Sequence, residues 1–419
     1  MNSLFKSYSY KKLFLISLVL VFSTPILPQL LKIISIALFL TICITESIKT
    51  KPKFKWEYFL FNAGLYLLYV FSLLYSKDLE YGLRKVETSA ALVIFPLGFA
   101  LVSKELIAHA IKNLKLFFYV FIIAVLALNL FIFSSFLSAG FDISSFGEYA
   151  DFVNRMEGFP AVHSIYLSMY NAIAVILIFY LLRTERLLKT GVPLIIIGSV
   201  LCLGLILLLK KGPIFGLVLV ATLLAFKYKI WRVWASYTVF IASLAGTLFL
   251  FPDTSERIHD LFQVERINAA IASEEIRATI YTCGNKKFQE AGLTGFGIGD
   301  GKNELIDCYQ EYNPALAATS YNSHNQYISL ILNVGFMGLL IFLSFVLYNI
   351  NRSLKSGVFI TVAIIVFYCI VMFSENILER QNGVLYFSLF INLLYFLSKK
   401  NQQEPRIKKS QEEILKELK

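Results

Sequence analysis

The chain has 419 residues, of which 57% are hydrophobic and only 16% are charged, and its mean hydropathy is +0.66. A soluble protein contains about 45–50% apolar and roughly 25% charged residues, so this composition excludes a soluble globular protein. It also excludes an intrinsically disordered chain, because a sequence this apolar does not stay solvated. The remaining class is an integral membrane protein. The net charge of +11 would indicate a polyanionic partner if the basic residues were spread evenly over both sides of the membrane.

Apolar segments define the predicted elements. A helix that crosses the membrane needs ~20 mostly apolar residues, and twelve stretches approach this length. We therefore predict an all-α integral membrane protein with about 12 transmembrane helices. The predicted spans, in chain order, are Leu13–Pro28, Leu31–Ile44, Tyr58–Tyr75, Ala90–Val102, Leu116–Leu137, Ile165–Leu182, Val192–Leu209, Ile214–Phe226, Val233–Phe251, Tyr327–Ile350, Val358–Phe373 and Val384–Leu397.

Basic residues are distributed unequally between the segments that connect these spans. When the N-terminus is placed in the cytoplasm and the sides alternate, the inner segments contain 25 of the 39 Lys and Arg residues but only 8 of the 28 Asp and Glu residues. Cytoplasmic loops of membrane proteins carry such an excess of Lys and Arg. The sequence therefore predicts two cytoplasmic termini and a positive charge that signals orientation, with no nucleic acid bound.

Loop lengths predict the domain organisation. The long polar segment before the tenth span is large enough for a small subdomain on the outer side. It contains Cys283 and Cys308, for which a disulfide and two free thiols are equal alternatives. The predicted regions are transmembrane helices 1–9 in 1–251, the loop subdomain in 252–323, transmembrane helices 10–12 in 324–398 and a cytoplasmic tail in 399–419.

Polar side chains at the ends of the spans are candidates for chemistry, because polar groups are costly in a membrane and usually have a function there. His109 and His259 lie in polar stretches and are interpreted as solvated side chains. His163 and His324 each lie at the outer end of a predicted span. An interfacial side chain and a site residue are the alternatives for both. His324 has more polar neighbours than His163 and is the stronger candidate.

The segment around His324 resembles a known motif. His324-Asn325 is followed, after nine residues, by Gly335-Phe-Met-Gly338. This pattern resembles the signature of the O-antigen ligase/polymerase superfamily of bacterial polytopic membrane proteins. Upstream, Arg277 leads into the glycine-rich segment 292–301, which is similar to the outer-loop pattern of the same family. We also expect the glycine pair after His324 to allow close approach of a neighbouring helix.

The resemblance implies a membrane glycosyltransferase in the bacterial inner membrane, with a periplasmic loop that contains short helices. Members of the family transfer glycans from an undecaprenyl-diphosphate carrier at the periplasmic face. Ligases transfer them to lipid A core and polymerases join repeat units, and both remain alternatives here. By resemblance, His324 is expected to be the catalytic base and Arg277 to contact the donor diphosphate, with Asn325 and Gln326 in the substrate site. The implied partners are the lipid-linked donor, a lipid A core or glycan acceptor, and membrane lipids.

One motif departs from the family pattern. A second Arg of the family, at the outer end of a mid-chain span, corresponds here to Lys210-Lys211-Gly212-Pro213. Lys neutralises a phosphate as a point charge but lacks the bidentate fork of Arg. Donor binding and a simple positively charged hairpin are therefore the alternatives for this pair. No Asp-x-Asp motif occurs in the chain, so we expect no metal or other cofactor and assign charge stabilisation of the diphosphate to fixed cations.

Several polar residues are weaker candidates. We expect His163, Arg155 and Glu87 to line the same cavity, whereas Arg380 and Glu375 form either part of it or a local ion pair. A lipid-linked glycan flippase is the alternative of a different class. Such transporters have inverted repeats and charges at the middle of the membrane, whereas the polar residues here collect at one outer end.

The glycine-rich segment 292–301 also has two interpretations. Its backbone N–H groups form either a nest for phosphate or only a tight turn. The nearby Asp300, Glu304 and Asp307 accept hydrogen bonds from sugar hydroxyls or form a solvated face.

Overall fold

The computed structural model describes residues 2–142, 144–184, 191–232 and 267–398, together with the single positions 235, 238 and 239. These segments are built from helices that are joined by short turns. The helices are α1 Asn2–Phe22, α2 Gln29–Thr50, α3 Trp56–Ser72, α4 Leu79–Thr88, α5 Ala91–Leu101, α6 Lys104–Lys112, α7 Leu114–Ser138, α8 Tyr149–Arg155, α9 Ser164–Thr184, α10 Val192–Leu208, α11 Lys211–Lys227, α12 Ile267–Ala291, α13 Gly301–Tyr312, α14 Pro314–Ala318, α15 Gln326–Lys355, α16 Phe359–Val371 and α17 at 381–398.

The predicted all-helical membrane fold is confirmed in outline. Eleven of the twelve predicted spans overlap a described helix, whereas Val233–Phe251 lies outside the described residues apart from three single positions. By length and composition, α2, α7, α9 and α15 can each cross a membrane. A fifth span results if α5 and α6, which meet at an angle of 112°, are counted as one. The protein is therefore a multi-pass membrane protein, and the count of twelve stays a prediction.

Two helices form the centre of the bundle. Most side chains of α9 and α17 are buried, and both helices are apolar on all sides, which is typical of a helix surrounded by other helices. Aromatic rings connect them to α7: the Phe121 and Tyr386 centroids are 4.9 Å apart, and the Tyr170 and Tyr386 centroids are 5.2 Å apart. Aromatic packing therefore fills the centre of the bundle.

A break divides α15 at Gly335, the first glycine of the pattern that follows His324. Gly335 has a φ of +67°, and its backbone contacts Leu293 and Gly295 of the loop that precedes α15. Only glycine adopts this conformation at little cost in the middle of a helix, and a side chain at Gly335 would collide with the Leu293 backbone. The expectation that Gly335 serves close approach of another helix was therefore wrong, because the residue receives a loop instead.

The glycine-rich segment is a tight turn. The backbone N–H groups of residues 295–301 all donate within the protein: Phe296 donates to Leu332 O at 2.8 Å, and Ile298 and Gly299 donate to the hydroxyls of Ser72 and Ser76 at 3.1 Å. A nest for phosphate needs N–H groups that remain available. The phosphate-nest alternative is therefore wrong, and the turn instead connects the loop to the end of α3 and to the break in α15.

The described part of the loop before α15 has its own small core. Helices α12, α13 and α14 bury Ile280, Leu305 and Tyr309 against one another and against Leu332 of α15. A disulfide joins Cys283 of α12 to Cys308 of α13, which decides between the two alternatives that the sequence left open. The loop therefore forms a stapled unit that packs on the transmembrane bundle.

Replacing Cys308 with Ser should loosen this unit. The disulfide links residues 25 positions apart, and a loop of this length gives a stabilisation of about 3–4 kcal/mol in the chain-entropy estimate. Limited proteolysis of the purified protein should cut the loop faster in Cys308→Ser than in wild type. Cys369→Ser, which removes a free thiol, is the matched control. Alkylation of both loop thiols in unreduced wild-type protein would contradict the pairing.

Candidate functional site

The segment 372–380 brings the polar residues of several helices together. Its backbone accepts a hydrogen bond from Gln326 N at Met372 O (2.8 Å) and one from the Ser89 hydroxyl at Leu378 O (3.2 Å). Gly212, at the start of α11, lies directly against the side chain of Ser374. The ends of α4, α11 and α15 therefore meet at this one segment.

His324 stands directly before α15. Its φ of +43° lies in the left-handed region, which is uncommon for a residue other than glycine, although His, Asn and Asp are enriched there. The next residue, Asn325, caps the helix, because its side-chain oxygen accepts hydrogen bonds from Tyr327 N (2.9 Å) and Ile328 N (3.2 Å). The helix start thus fixes the backbone that carries the imidazole.

Gln326 also stabilises the start of α15. The residue is fully buried, and its side-chain oxygen accepts a hydrogen bond from Leu378 N at 2.6 Å. Asn325 is also buried. Both residues, which the sequence assigned to substrate binding, are placed where they support His324 and the segment 372–380.

The imidazole of His324 lies beside a carboxylate and an aromatic ring. His324 Nδ1 is 3.4 Å from Glu375 Oε2, and the ring centroid is 4.8 Å from that of Tyr321. The imidazole is 42% exposed, so a substrate can reach it. A carboxylate beside Nδ1 favours the tautomer in which Nδ1 carries the proton and Nε2 has a free lone pair. This geometry suits a general base.

Five side chains form what we call the Arg380 cluster: His163, Lys210, His324, Glu375 and Arg380. Partial burial, then the positive charge of Lys210, lowers the pKa of His163; Arg380 and His324 act in the same direction, whereas Glu375 opposes them. The four charged or titratable neighbours are therefore close enough to His163 to interact electrostatically. The structure thus unites two sequence-predicted histidines and one of the predicted lysines.

His163 is set up differently from His324. Its Nδ1 accepts a hydrogen bond from Ile165 N at 3.3 Å, so the proton of the neutral ring is on Nε2. The lowered pKa keeps this ring neutral at neutral pH. His163 can therefore donate one hydrogen bond to a substrate oxygen but is not arranged as a base.

A buried ion pair that the sequence did not reveal lies beside the cluster. Lys85 Nζ of α4 is 2.5 Å from Glu379 Oε2, and the two side chains are only 16% and 8% exposed. The other carboxylate oxygen accepts hydrogen bonds from Asn376 (2.9 Å) and from Ser329. Burial disfavours ionisation of both partners. Their mutual attraction and these hydrogen bonds outweigh it, lowering the pKa of Glu379 and raising that of Lys85.

The remaining predicted cations have different positions. Lys211 is exposed at the first turn of α11. Arg277 lies in α12, and its side chain is outside the described part of the structure. Arg155 is exposed and its guanidinium is 3.8 Å from Glu148 of the same segment. No described contact connects Arg155 to the Arg380 cluster.

The predicted acidic residues are mostly occupied elsewhere. The Asp300 carboxylate is buried and accepts hydrogen bonds from Lys77 N (2.6 Å) and Asp78 N (3.0 Å). Neither the sugar-binding nor the solvated interpretation therefore applies to Asp300. Glu304 pairs with Lys287 at 2.8 Å. Asp307 is exposed.

The segment between α16 and α17 also corrects an expectation. The local ion pair between Arg380 and Glu375 is not formed, because Glu375 instead lies beside His324. Among the described residues, no carboxylate is within ion-pair distance of Arg380. Glu87 is exposed on α4 and has no described contact with the cluster.

These features define a multi-pass helical membrane protein with two histidines, a carboxylate and several cations at one end of the bundle. Residues 201–343 match the model of the O-antigen ligase family. This match supports membership of the O-antigen ligase superfamily. The matched region contains the lysine pair and His324 but ends before Glu379. A comparison with curated proteins gave no match.

Sequence reasoning missed Lys85 and Glu379 for a physical reason. They are 294 residues apart, and neither lies in a motif whose spacing would reveal the pair. The one available signal was that Lys85 and Glu379 both fall in segments predicted to be on the outer side, where cations are few.

Replacing Lys85 with Met should strongly destabilise the protein. Removal of one partner leaves a buried charge uncompensated, which costs about 3–5 kcal/mol. The loss of stability in Lys85→Met, relative to wild type, should persist from about pH 6 to about pH 9, where both partners are charged. It should shrink at acid pH, because the pair's contribution disappears as the pH falls through the lowered pKa of Glu379. Thermal unfolding of wild type and Lys85→Met in detergent, followed as a function of pH, measures this difference in stability.

The matched control for this measurement is Arg84→Met on the same helix. Arg84 pairs with Glu80 at 3.5 Å, but both side chains are largely exposed, and such pairs contribute about 0–1 kcal/mol. Equal melting temperatures for Lys85→Met and Arg84→Met would show that the buried pair does not stabilise the site.

Proposed function

We propose that this protein is a glycosyltransferase of the O-antigen ligase type. It transfers a glycan from undecaprenyl diphosphate to a hydroxyl of lipid A core at the periplasmic face of the bacterial inner membrane. The observation that carries this proposal is the His324–Glu375 pair within a group of cations, inside a chain of this superfamily. A glycosyl transfer of this kind needs both a base and positive charge at one place.

The cations support binding of the donor diphosphate. Lys210 and Arg380 both lie near His163, and Lys211 follows Lys210 at the N-terminus of α11, where the helix dipole favours an anion. Arg380 supplies the planar guanidinium that the lysine pair lacks. We assign the diphosphate to Lys210, Lys211 and Arg380, and we retain Arg277 as a further contact because of its place in the family pattern.

In the proposed reaction, His324 accepts the proton of the acceptor hydroxyl on Nε2. The hydroxyl oxygen forms a bond to the anomeric carbon, and the bond from that carbon to the diphosphate oxygen breaks. Its electron pair leaves with undecaprenyl diphosphate, whose developing charge the cations stabilise. A single displacement inverts the configuration at the anomeric carbon. The Nε2–H group of His163 donates a hydrogen bond to an oxygen of the donor substrate.

Two features support the outer side of the membrane as the location. The disulfide between Cys283 and Cys308 is typical of an oxidising compartment such as the periplasm. The loop that contains it packs on the same end of α15 as His324. The excess of basic residues in the opposite segments fits the same orientation.

Replacing His324 with Ala should reduce glycan transfer by at least about 100-fold, because general-base catalysis typically contributes 10²–10⁴-fold. The measurement uses purified protein with undecaprenyl-diphosphate glycan and lipid A core. His109→Ala, on the opposite side of the predicted topology, is the matched control. EDTA should leave the rate unchanged, since fixed cations hold the diphosphate. Wild-type activity in His324→Ala would rule out this mechanism.

The same assay separates ligase from polymerase. A ligase gives product only when lipid A core is added, whereas a polymerase lengthens the glycan of the donor when a second donor molecule is the acceptor. We expect product with lipid A core. Elongated lipid-linked glycan without lipid A core would assign the protein to the polymerases.

Replacing Arg380 with Gln should weaken donor binding. Loss of a charge-assisted contact to phosphate costs about 1.5–3 kcal/mol, which is roughly 10–100-fold in affinity. Arg380→Lys should restore part of the affinity, because it keeps the charge but not the fork. Binding of undecaprenyl diphosphate to protein in nanodiscs measures both variants. Unchanged affinity in Arg380→Gln would remove this residue from the diphosphate site.

A further inference from the structure

The part of α15 that follows the break at Gly335 is long enough to cross the membrane by itself. The whole helix has 30 residues, which corresponds to a length of about 45 Å, whereas the hydrocarbon layer of a bilayer is about 30 Å thick. The segment from Phe336 to Lys355 alone has the ~20 residues that cross this layer. Its last turn carries the basic residues Arg352 and Lys355. One boundary of the hydrocarbon layer therefore lies near Phe336.

Side-chain exposure changes at the same position. The structure describes α15 along its whole length, and no residue of this helix up to Gly335 is exposed. The exposed face that begins after the break consists mostly of large apolar side chains, namely Phe336, Met337, Leu340, Leu343, Leu347, Tyr348 and Leu354. Such side chains on a spanning helix contact lipid tails, which are equally apolar. The exposure pattern thus gives the same boundary as the helix length.

The turn 292–294 pairs with the backbone groups that the break leaves without helical partners. Phe336 N donates to Gly292 O and Met337 N donates to Leu293 O, both at 3.1 Å. Inside a bilayer these N–H groups need partners from the protein, because no water is available. The turn therefore lies at the same depth as Phe336, at the boundary of the hydrocarbon layer.

Apolar side chains surround this turn. Leu293 is 66% exposed, and Leu74, which follows α3, is 79% exposed. The Tyr75 hydroxyl donates to Thr294 O at 2.6 Å, so the end of α3 and the turn are adjacent. We define the boundary patch as the exposed side chains of Phe71, Leu74, Leu293, Phe336 and Met337. Exposed apolar patches of this kind mark interaction surfaces.

We propose that the turn 292–294 is inserted into the membrane, where the boundary patch contacts the acyl chains of the lipids. Lipid is the occupant because the patch continues into the exposed apolar face of α15, to which Phe336 and Met337 also belong. The span then begins at the break and not at Tyr327, as the sequence predicts. The loop unit is held at the membrane surface by this contact, whatever reaction the site performs.

The first part of α15 then lies across this end of the bundle, close to the lipid headgroups. At its start, Gln326 N donates to Met372 O, which directly follows α16. At its end, Leu332 O and Asn333 O accept hydrogen bonds from the glycine-rich turn that also binds the end of α3. Both ends are thus tied to the ends of other helices. His324, two residues before Gln326, is held at the depth at which a lipid-anchored substrate presents its polar group.

Tryptophan probes in the full-length protein test the contact with lipid. Leu293→Trp and Leu74→Trp place an indole on the boundary patch. The controls are Leu347→Trp, which is 63% exposed at about 16 Å further along the span, and Gln310→Trp on the exposed face of α13. Each variant is studied with one protein per nanodisc, in phospholipids that carry bromine on the acyl chains and quench an indole on contact. Wild-type fluorescence is subtracted.

We expect Leu293→Trp and Leu74→Trp to lose as much fluorescence as Leu347→Trp, and Gln310→Trp to lose none. Bromine near the headgroup should quench the two patch variants most, whereas bromine near the end of the chain should quench Leu347→Trp most. Because Leu293 and Leu74 are exposed, melting temperatures equal to that of wild type should show that both variants are folded.

Three results would overturn the insertion. Fluorescence at Leu293→Trp that bromine leaves unchanged would assign the turn to water or to a protein partner. Quenching at Leu74→Trp without quenching at Leu293→Trp would place α3 in lipid but exclude the loop. A depth profile at Leu293→Trp that equals the profile at Leu347→Trp would contradict a boundary at the break.

Discussion

The arrangement of the site depends on one buried ion pair, that of Lys85 and Glu379. Glu379 is the point at which α4, the start of α15 and the segment 372–380 are tied together, through Lys85, Ser329 and Asn376. A carboxylate with so little exposure stays ionised only if its partners remain in place. The pair therefore fixes the segment that carries Glu375 and Arg380, and with it the surroundings of His324.

The membrane explains why the site lies at one end of the bundle. The centre is filled by the rings of α7, α9 and α17, where a charged substrate could not be accommodated. Short turns at this end of the bundle can expose cations because they lie outside the apolar core. The loop unit then packs on this end through the break at Gly335. In the proposed function, a lipid-anchored donor and its polar glycan therefore meet at a boundary between two environments.

The helical class and the positions of most spans were predictable, because apolar runs of about 20 residues have few alternatives in a chain this hydrophobic. His324 was predictable from a local motif, and so was the approximate position of Lys210. The partners of His324 were not, since Glu375 reaches it only after two further helices have packed. The glycine turn shows the opposite limit: its sequence fits both a phosphate nest and a connector, and only the acceptors of its N–H groups, such as Leu332 O, decide between them.

The charge balance of the site points to an anionic substrate. Lys85 is compensated by Glu379, and Glu375 lies beside His324, yet Arg380 and Lys302 have no carboxylate within ion-pair distance among the described residues. A protein gains stability by pairing such charges or by moving them into solvent. That Arg380 and Lys302 persist without a carboxylate partner among the described residues, on a face that the sequence predicts to be net acidic, is explained if the substrate supplies the missing negative charge. The same excess of positive charge then favours substrate binding but lowers the stability of the protein without substrate.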